Sequence, residues 1–431
     1  MINDIRQTEI IRSFKYNVTV NLFEAGFFGL AMSISSYQTI LPLFISNYTD
    51  SAILIGLIPA IHLAGWQLPQ LFLASRVSKQ LRYKPMVLAL TIHERIPYLG
   101  LALAAFFLPR YGQKITLLIT FLMLIWQGLG GGVTAIAWQS LMSKIILPHR
   151  WGTFFGMQSS FFNLFGAFGA IIAGYILDKN ESPLDFTLCF LITFGIMVAS
   201  WIILALTREP ESQPPKKVHS STEFRMNLFL ILTRDKNFRW YLIGRMLTSF
   251  AVMGFAFYTV YAFKYQGVSE ISVGVMTGIL FGIQILINPI LGWWGDRWNR
   301  RKVMIFGLFS AVASSILAAF APNGEWFYLI FLLAGIANTA SWTLGITMTL
   351  DFCNEEDRPS YIGLANTLIA PANILAPFLG GWLADFAGYP STFFASTVGG
   401  IAAIFVFLVF IKDPIRHLRA EMPTFPGPEH P

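Results

Sequence analysis

The sequence predicts an all-α membrane protein of twelve transmembrane helices arranged as two pseudo-symmetric six-helix bundles. Composition, the spacing of apolar runs and an internal repeat carry this expectation. The 431 residues are 55% hydrophobic and only 12% charged, with 40 phenylalanines. A soluble globule carries about 25% charged residues, so a chain this poor in charge cannot cover a water-facing surface of its size. Crossing a bilayer takes about 20 apolar residues per helix. Runs of that kind occupy 18–45, 52–74, 86–107, 115–140, 153–177, 186–206, 240–263, 273–294, 303–321, 327–350, 361–384 and 392–411. The one long polar break, Thr207 to Arg239, separates six spans from six. The expected organisation is an N-terminal bundle at 1–206, a linker at 207–239, a C-terminal bundle at 240–412 and a tail at 413–431. In the linker, Pro210, Pro214, Pro215, Lys216 and Lys217 form a polar connector. Phe224 to Leu232 follow as a candidate amphipathic helix along the membrane face.

The halves contain a further repeat. Gly169 to Asp178 in the fifth span reads like Ala376 to Asp385 in the eleventh, offset by 207 residues, and both stretches end in an acid. Repeats of this kind place a binding site near the midplane between them. Cation positions set the orientation. With alternate loops assigned inside, 24 Lys/Arg lie inside and four outside, Arg110, Lys114, Lys179 and Lys264. That excess predicts both termini in the cytoplasm of a plasma (inner) membrane. The net charge of +7 is therefore read as orientation, with no nucleic-acid partner. Met1 to Tyr16 is polar and precedes an apolar run too long for a signal peptide, so the first span is expected to target the chain. Cys189 and Cys353 match no disulfide or metal spacing, and no metal or other cofactor is expected.

Between the eighth and ninth spans stands Gly292-Trp293-Trp294-Gly295-Asp296-Arg297-Trp298-Asn299-Arg300-Arg301-Lys302. Four cations fall in its last six residues, so the stretch is expected to be a sharp stop at which both helices surface. It resembles the loop signature of the major facilitator superfamily (MFS) of transporters, complete except for Asn299 where that family usually has Gly. The resemblance covers the chain from the first span to the twelfth. It implies the MFS fold and a conformational latch at Asp296, Arg297, Arg301 and, in the matching first-half loop, Arg76. Asp296 is expected to cap the helix beginning near Trp151 and Gly152. Three departures stand out. Ser75 replaces the family's acid in the first-half loop. Leu124-Ile125-Trp126-Gln127-Gly128 lacks the Arg of the corresponding family motif. The antiporter pattern is reduced to Gly169, Ala170, Ala173 and Gly174, although Pro377, Gly380 and Gly381 keep it in the eleventh span.

Of 23 acids only Glu24 and Glu94 lie within spans, with Arg95 and Arg245 as the basic counterparts. An ionisable group in hydrocarbon costs at least ~2.5 kcal/mol, so each needs a partner, a cavity or a route to the interface. Glu94 and Arg95 are roughly 12–14 Å deep at 1.5 Å per residue. As helix neighbours they point about 100° apart and are not expected to share a partner. Structural pairing to neighbouring helices is the simpler reading there, because the third span is peripheral in the resembled fold. Glu24 and Arg245 lie at ~8–10 Å, on two spans that line the central cavity in the family. Arg245 is expected to snorkel. Glu24 is the leading proton-coupling candidate, followed by Glu94 and His62. Tyr37, Gln38, Trp126, Gln127, Tyr258, Asn338 and Trp342 are the substrate-binding candidates. Gln158, Asn163, Gln284, Asn288, Asn366 and Asn373 mark three further spans. Gly128 to Gly132 lacks the Lys-Ser/Thr of a phosphate loop and reads as close helix packing.

No Walker sequence, nucleophile elbow or paired-His motif is present, which argues against a pump or an enzyme. The resemblance implies a secondary transporter, monomeric in the lipid bilayer, moving a small organic solute by alternating access with a proton as the candidate coupling ion. The competing class is a non-transporting sensor or membrane-protein assembly factor built on the same fold.

Overall fold

The computed structural model describes residues 2–49, 52–211 and 221–412. The linker residues Pro214, Pro215, Lys216 and Lys217 and the tail 413–431 lie outside the described residues. Every span expected from the sequence is helical, but several are broken. The first comprises α1 (Ile2–Ile34) and α2 (Ile40–Ser46). The second comprises α3 (Ala52–Gln67) and α4 (Gln70–Val77), interrupted at Pro69, which has no N–H to continue the ladder. The third comprises α5 (Lys84–Leu90) and α6 (Ile92–Phe106), followed by the short α7 (Leu108–Tyr111). Then come α8 (Gln113–Ile145), α9 (Trp151–Lys179), α10 (Leu184–Ala205) and α11 (Ser221–Arg234). The seventh span comprises α12 (Lys236–Ala251) and α13 (Phe255–Tyr265). It is followed by α14 (Glu270–Trp294), α15 (Arg300–Phe320), α16 (Trp326–Thr339), α17 (Gly345–Asp351), α18 (Arg358–Ala387) and α19 (Tyr389–Val409).

Among the described residues, ten helical stretches are long and apolar enough to cross a membrane. One of them, Ser272–Phe320, runs through two helices, and the split pair α3 and α4 supplies the remaining span. The chain is a multi-pass integral membrane protein. Local chemistry sets the junctions. Gly112 and Gly388, at φ 78° and 82°, start α8 and α19 in a backbone region that a side chain would strain. Asp235 caps α12 by accepting from Phe238 N–H at 2.9 Å.

The charged stretch is not the open loop expected. Backbone helicity continues through a π-helical turn, Gly295–Asn299, before α15 begins. Asn299 ends that turn in extended conformation, and its Oδ1 accepts from Lys302 N–H at 3.2 Å. The residue that departs from the family's Gly thus serves as an N-cap. A second π turn, Ala340–Leu344, joins α16 to α17 and carries Trp342.

In the first half α1 packs on α9 and α10, α3 on α8, and α6 on α8 and α10. In the second half α12 packs on α18 and α19, α14 on α16, and α15 on α16 and α19. Two seams join the halves, α9 against α14 and α4 against α18. Both lie toward the end that carries the termini. There one apolar cluster combines Ile136, Leu141 and Phe154 with Leu350 and Ile362. At the opposite end one cluster, around Phe44 and Phe190, draws only on the first half. Another, around Tyr258 and Phe327, draws only on the second.

The α9–α14 seam is backbone against backbone. A Cβ on Gly292 would collide with Gly152 O, and one on Gly156 with Asn288 O. Ser160 hydroxyl bonds to Ile285 O, and Asn163 Nδ2 donates to Gln284 Oε1 at 3.4 Å. Beyond that point the same stripe continues on α14 through exposed Phe281 to Gly278 and Gly274, and a Cβ added at either glycine would meet nothing within 4 Å. On α9 it continues through Ala167, Ala170 and Gly174, all exposed. The linker helix α11 was expected to lie on the membrane face. Met226 and Phe229 are exposed, but Leu228 packs against apolar clusters of both halves.

Candidate functional site

Directly beyond the seam lies a cavity of about 460 Å³ bounded by both halves. Among the described residues four ionisable side chains line it: Glu24, Glu94, Arg95 and His62. Three of them form one buried cluster. Arg95 Nη2 lies 3.8 Å from Glu24 Oε1, and Nη1 lies 3.9 Å from Glu94 Oε2. Ser200 of α10 donates to Glu24 Oε1 at 3.1 Å, and Thr91 Oγ1 donates to Glu94 Oε2 at 3.4 Å. Arg95 is held by Met197 O at 3.0 Å and Thr91 O at 3.2 Å, with a further contact to Thr91 Oγ1. Its guanidinium also lies 5.7 Å from the Phe28 ring centre. These contacts supply the polar partners that a charge in this medium requires. The expectation that Glu94 and Arg95 face apart is corrected. The long Arg95 stem curls back over Thr91, so one guanidinium adjoins both carboxylates. The third span is not peripheral to the cavity either, since α5 and α6 form part of its wall.

His62 on α3 completes the set. Its Nδ1 lies 3.2 Å from Gln127 Oε1, and its ring stacks on Tyr37 at 3.8 Å and 16°. Tyr37 in turn bonds Tyr98 OH at 2.9 Å. Tyr37 and Gln127 therefore stand behind His62 and hold its ring, rather than lining the cavity. From the second half come Asn338, Thr339 and Trp342, with Gln284 and Asn288 of α14. Trp342 meets Trp66 of α3 at 5.5 Å between ring centres. Gln158 Nε2 and Thr339 Oγ1 are buried in the wall with no hydrogen-bond partner among the described residues.

Three substrate-binding candidates lie elsewhere. Gln38 is exposed in the turn between α1 and α2, where the helix break rotates it away. Trp126 is 36% exposed on the outer face of α8 and donates to His93 Nδ1 at 3.3 Å. Tyr258 is sealed in the second-half core, bonding Ser314 at 3.1 Å and Ser315 at 3.0 Å. Arg245 does not snorkel freely. Its Nη1 bonds Tyr241 OH at 3.2 Å and packs against Gly345. Cys189 and Cys353 are free and buried. Trp66, Trp138 and Thr339 line the cavity without having been singled out from the sequence. The only signal for them was the general one, aromatic and polar groups within apolar spans.

Below the cavity the seam is closed by charge. Asp296 Oδ1 accepts from Gly152 N–H at 2.8 Å, and Oδ2 accepts from Thr153 N–H at 2.6 Å and Thr153 Oγ1 at 2.8 Å. A second-half carboxylate thus caps a first-half helix, where exposed amides and the helix dipole favour an anion. Its partner is Arg300, one of the four cations of the charged stretch. Arg300 Nη2 donates to Asp296 Oδ1 at 2.7 Å and to Pro148 O at 3.0 Å, and Nη1 binds Asp351. The other latch candidates do not take part. Arg297 is exposed over the Trp293 ring, Arg301 donates to Leu408 O within its own half, and Arg76 is exposed. Each points away from the seam on its helical turn.

The second seam has no carboxylate where Ser75 replaces the acid, and Arg358 at the start of α18 donates across the halves to Ser143 O at 3.2 Å. Asn366 Nδ2 donates to Gln70 Oε1 at 2.7 Å, and Leu71 N–H to Thr367 Oγ1 at 3.3 Å. At the start of the linker, Glu209 accepts from Tyr83 N–H and Lys84 N–H at 2.7 Å each and pairs with buried Lys144 at 2.7 Å.

The sequence profile of the Major Facilitator Superfamily matches residues 23–272 and 258–426. The chain belongs to the Major Facilitator Superfamily. Among relatives, the probable vesicular acetylcholine transporter-B of Danio rerio is 29% identical over 164 residues, 37% of this chain and 33% of that protein. Multidrug resistance protein 1 of Bacillus subtilis (strain 168) is 29% identical over 150 residues, 35% of this chain and 38% of that protein. The chain thus spans about a third of the length of these relatives. Among solved structures, the MFS transporter FucP in its outward conformation matches with a TM-score of 0.73 at 15% identity, over 92% of this chain and 98% of that one. The MFS proton:xylose symporter XylE matches with a TM-score of 0.70 at 14% identity, over 93% and 97%. At such identities the likeness is one of fold.

Proposed function

We propose that this protein is a secondary transporter that carries a small organic solute across the membrane by alternating access, with Glu24 as its coupling acid. One observation carries the reading. The two halves, residues 1–206 and 240–412, are tied across one end by Asp296 on the first turn of α9, and the cavity opens between them just past that tie. A latch that crosses between halves has a purpose if they separate there in another state. With the termini on the cytoplasmic face of the plasma membrane, as the loop cations favour, the structure is the outward-facing state. FucP and XylE support a transport reading by fold, and the acetylcholine and multidrug proteins by partial sequence likeness.

The test is side-specific labelling in sealed vesicles of known orientation. A cysteine at Asn338 is expected to react with an impermeant maleimide from outside and to be protected from the cytoplasmic side. Asp296→Asn is expected to reverse that preference, because the amide cannot supply the charge that Arg300 and the α9 amides require. Uptake of a panel of cationic, neutral and anionic solutes into vesicles, with and without a proton gradient, completes the test. If the labelling pattern is the same in mutant and wild type, Asp296 is not a latch. If no solute moves faster than in protein-free vesicles, the sensor reading takes over.

A further inference from the structure

We propose that the cavity wall at Gly131, Glu94 and Trp66, faced by Trp342 of the other half, is a binding site for a monovalent organic cation with an aromatic or apolar body. This rests on the transport reading for its purpose but not for its chemistry. Charge balance comes first. Two carboxylates, Glu24 and Glu94, share one guanidinium, Arg95, so the cluster carries one negative charge when both acids are ionised. The only other ionisable group lining the cavity among the described residues is His62, whose Nδ1 is engaged with Gln127. A buried charge of that kind needs a counter-charge or a proton, and a cationic solute supplies the first.

Geometry assigns the unbalanced charge to Glu94. Glu24 takes a hydrogen bond from Ser200 at 3.1 Å besides its pairing with Arg95. Glu94 has only the longer Thr91 contact at 3.4 Å and Arg95 at 3.9 Å, both on Oε2. Its Oε1 is turned to Gly131. A Cβ placed on Gly131 would lie 3.0 Å from Glu94 Oε1 and 3.3 Å from Trp66 Cδ1. Carboxylate and indole therefore adjoin over an α8 position that has no side chain. An indole face beside an acid is a strong arrangement for a cation, since ring and carboxylate attract it together. Trp342, 51% exposed, stands 5.5 Å from Trp66 between ring centres, tilted by 35°, and presents a second ring from the opposite half. Gln158 Nε2, buried and unpartnered, adds a donor for an oxygen on the solute. A cavity of about 460 Å³ suits a drug-sized molecule.

The experiment is equilibrium binding to the purified full-length protein in lipid nanodiscs, which requires no transport. The probe is radiolabelled benzyltrimethylammonium, competed by its uncharged carbon isostere neopentylbenzene and by benzoate. Saturable binding of the cation is expected, with neither competitor displacing it at tenfold higher concentration. Glu94→Gln and Trp66→Ala are each expected to weaken binding at least tenfold. Gly131→Ala keeps every charge and suits a helix, yet crowds acid and indole, so it is expected to weaken binding as well. That variant serves if Glu94→Gln does not fold. Equal binding of cation and isostere, or undiminished binding in Glu94→Gln or in Gly131→Ala, would overturn the proposal. Cation binding without transport would count against the transport reading alone, and transport of a neutral solute without cation binding against this inference alone.

Discussion

Arg95 lies between two acids, so protonating or neutralising one leaves it paired with the other. Glu24→Gln should therefore fold, keeping the Ser200 hydrogen bond through its amide oxygen and leaving Arg95 to Glu94. The expected outcome is loss of gradient-driven accumulation with solute exchange retained, read in vesicles with and without a proton gradient. If the mutant accumulates solute at the wild-type rate, the acid is structural and coupling falls to Glu94. Sequence depth was enough to single out Glu24, Glu94 and Arg95, because charges in an apolar run cannot be hidden. It was not enough to show that they meet, since that depends on helix rotation and on how a long Arg stem folds back. Rotation also explains why Gln38, Trp126 and Tyr258 were misjudged. A membrane helix is apolar toward lipid and toward the core alike, so no polarity contrast marks which face is inside. Trp66 was missed for the same reason.

At the scale of elements, α9 and α14 show a seam half made. From Asn163 and Gln284 toward the far end the facing stripe is Ala167, Ala170 and Gly174 opposite Phe281, Gly278 and Gly274, and the two α14 glycines face empty space. Small residues permit the close helix approach already seen at Gly152 and Gly292. Gly278→Leu is expected to fold and to bind solute from the open side, because the added side chain enters empty space. It is also expected to cut translocation at least tenfold by preventing the outer halves from meeting. Unchanged transport would rule out that stripe as a closing surface. Glu209 joins three elements by a different means, holding the start of α5 and the end of α8 from just beyond α10. Glu209→Ala removes the carboxylate that pairs with buried Lys144 at 2.7 Å, a loss of roughly 3–5 kcal/mol. The expected readout is a markedly lower melting temperature in detergent, partly recovered by adding Lys144→Met. Recovery is the telling arm, since loss of the backbone caps alone would not respond to it. The spans were legible in the sequence because hydropathy records length. The π turns and the break between α12 and α13 were not, because tertiary contacts select among near-equivalent helical geometries.

Taken as a whole, the molecule closes its terminus-bearing end unevenly. One seam rests on the Asp296–Arg300 ion pair; the other has no carboxylate and rests on Gln70, Asn366 and Thr367, with Arg358 Nη1 donating to Ser143 O at 3.2 Å. Hydrogen bonds to charged groups contribute about 1.5–3 kcal/mol each and neutral ones about 0.5–1.5. Asp296→Asn should accordingly shift the accessibility ratio by at least tenfold, and Asn366→Ala by less. Comparable shifts in side-specific labelling would mean that the seams share the load and the missing acid at Ser75 has no consequence.

The last contact of the ionic seam, Asn163 to Gln284, is formed by two residues that also line the cavity. About 16 residues of α9 continue past it, roughly 24 Å of free helix at 1.5 Å per residue. On the transport reading proposed above, such a pair of helices would behave as a see-saw whose fulcrum lies level with the solute. Tilting brings the long free arms together as the glycine ends part, and displacement is least at the fulcrum. A solute held there keeps nearly the same neighbours while the water on either side of it changes places.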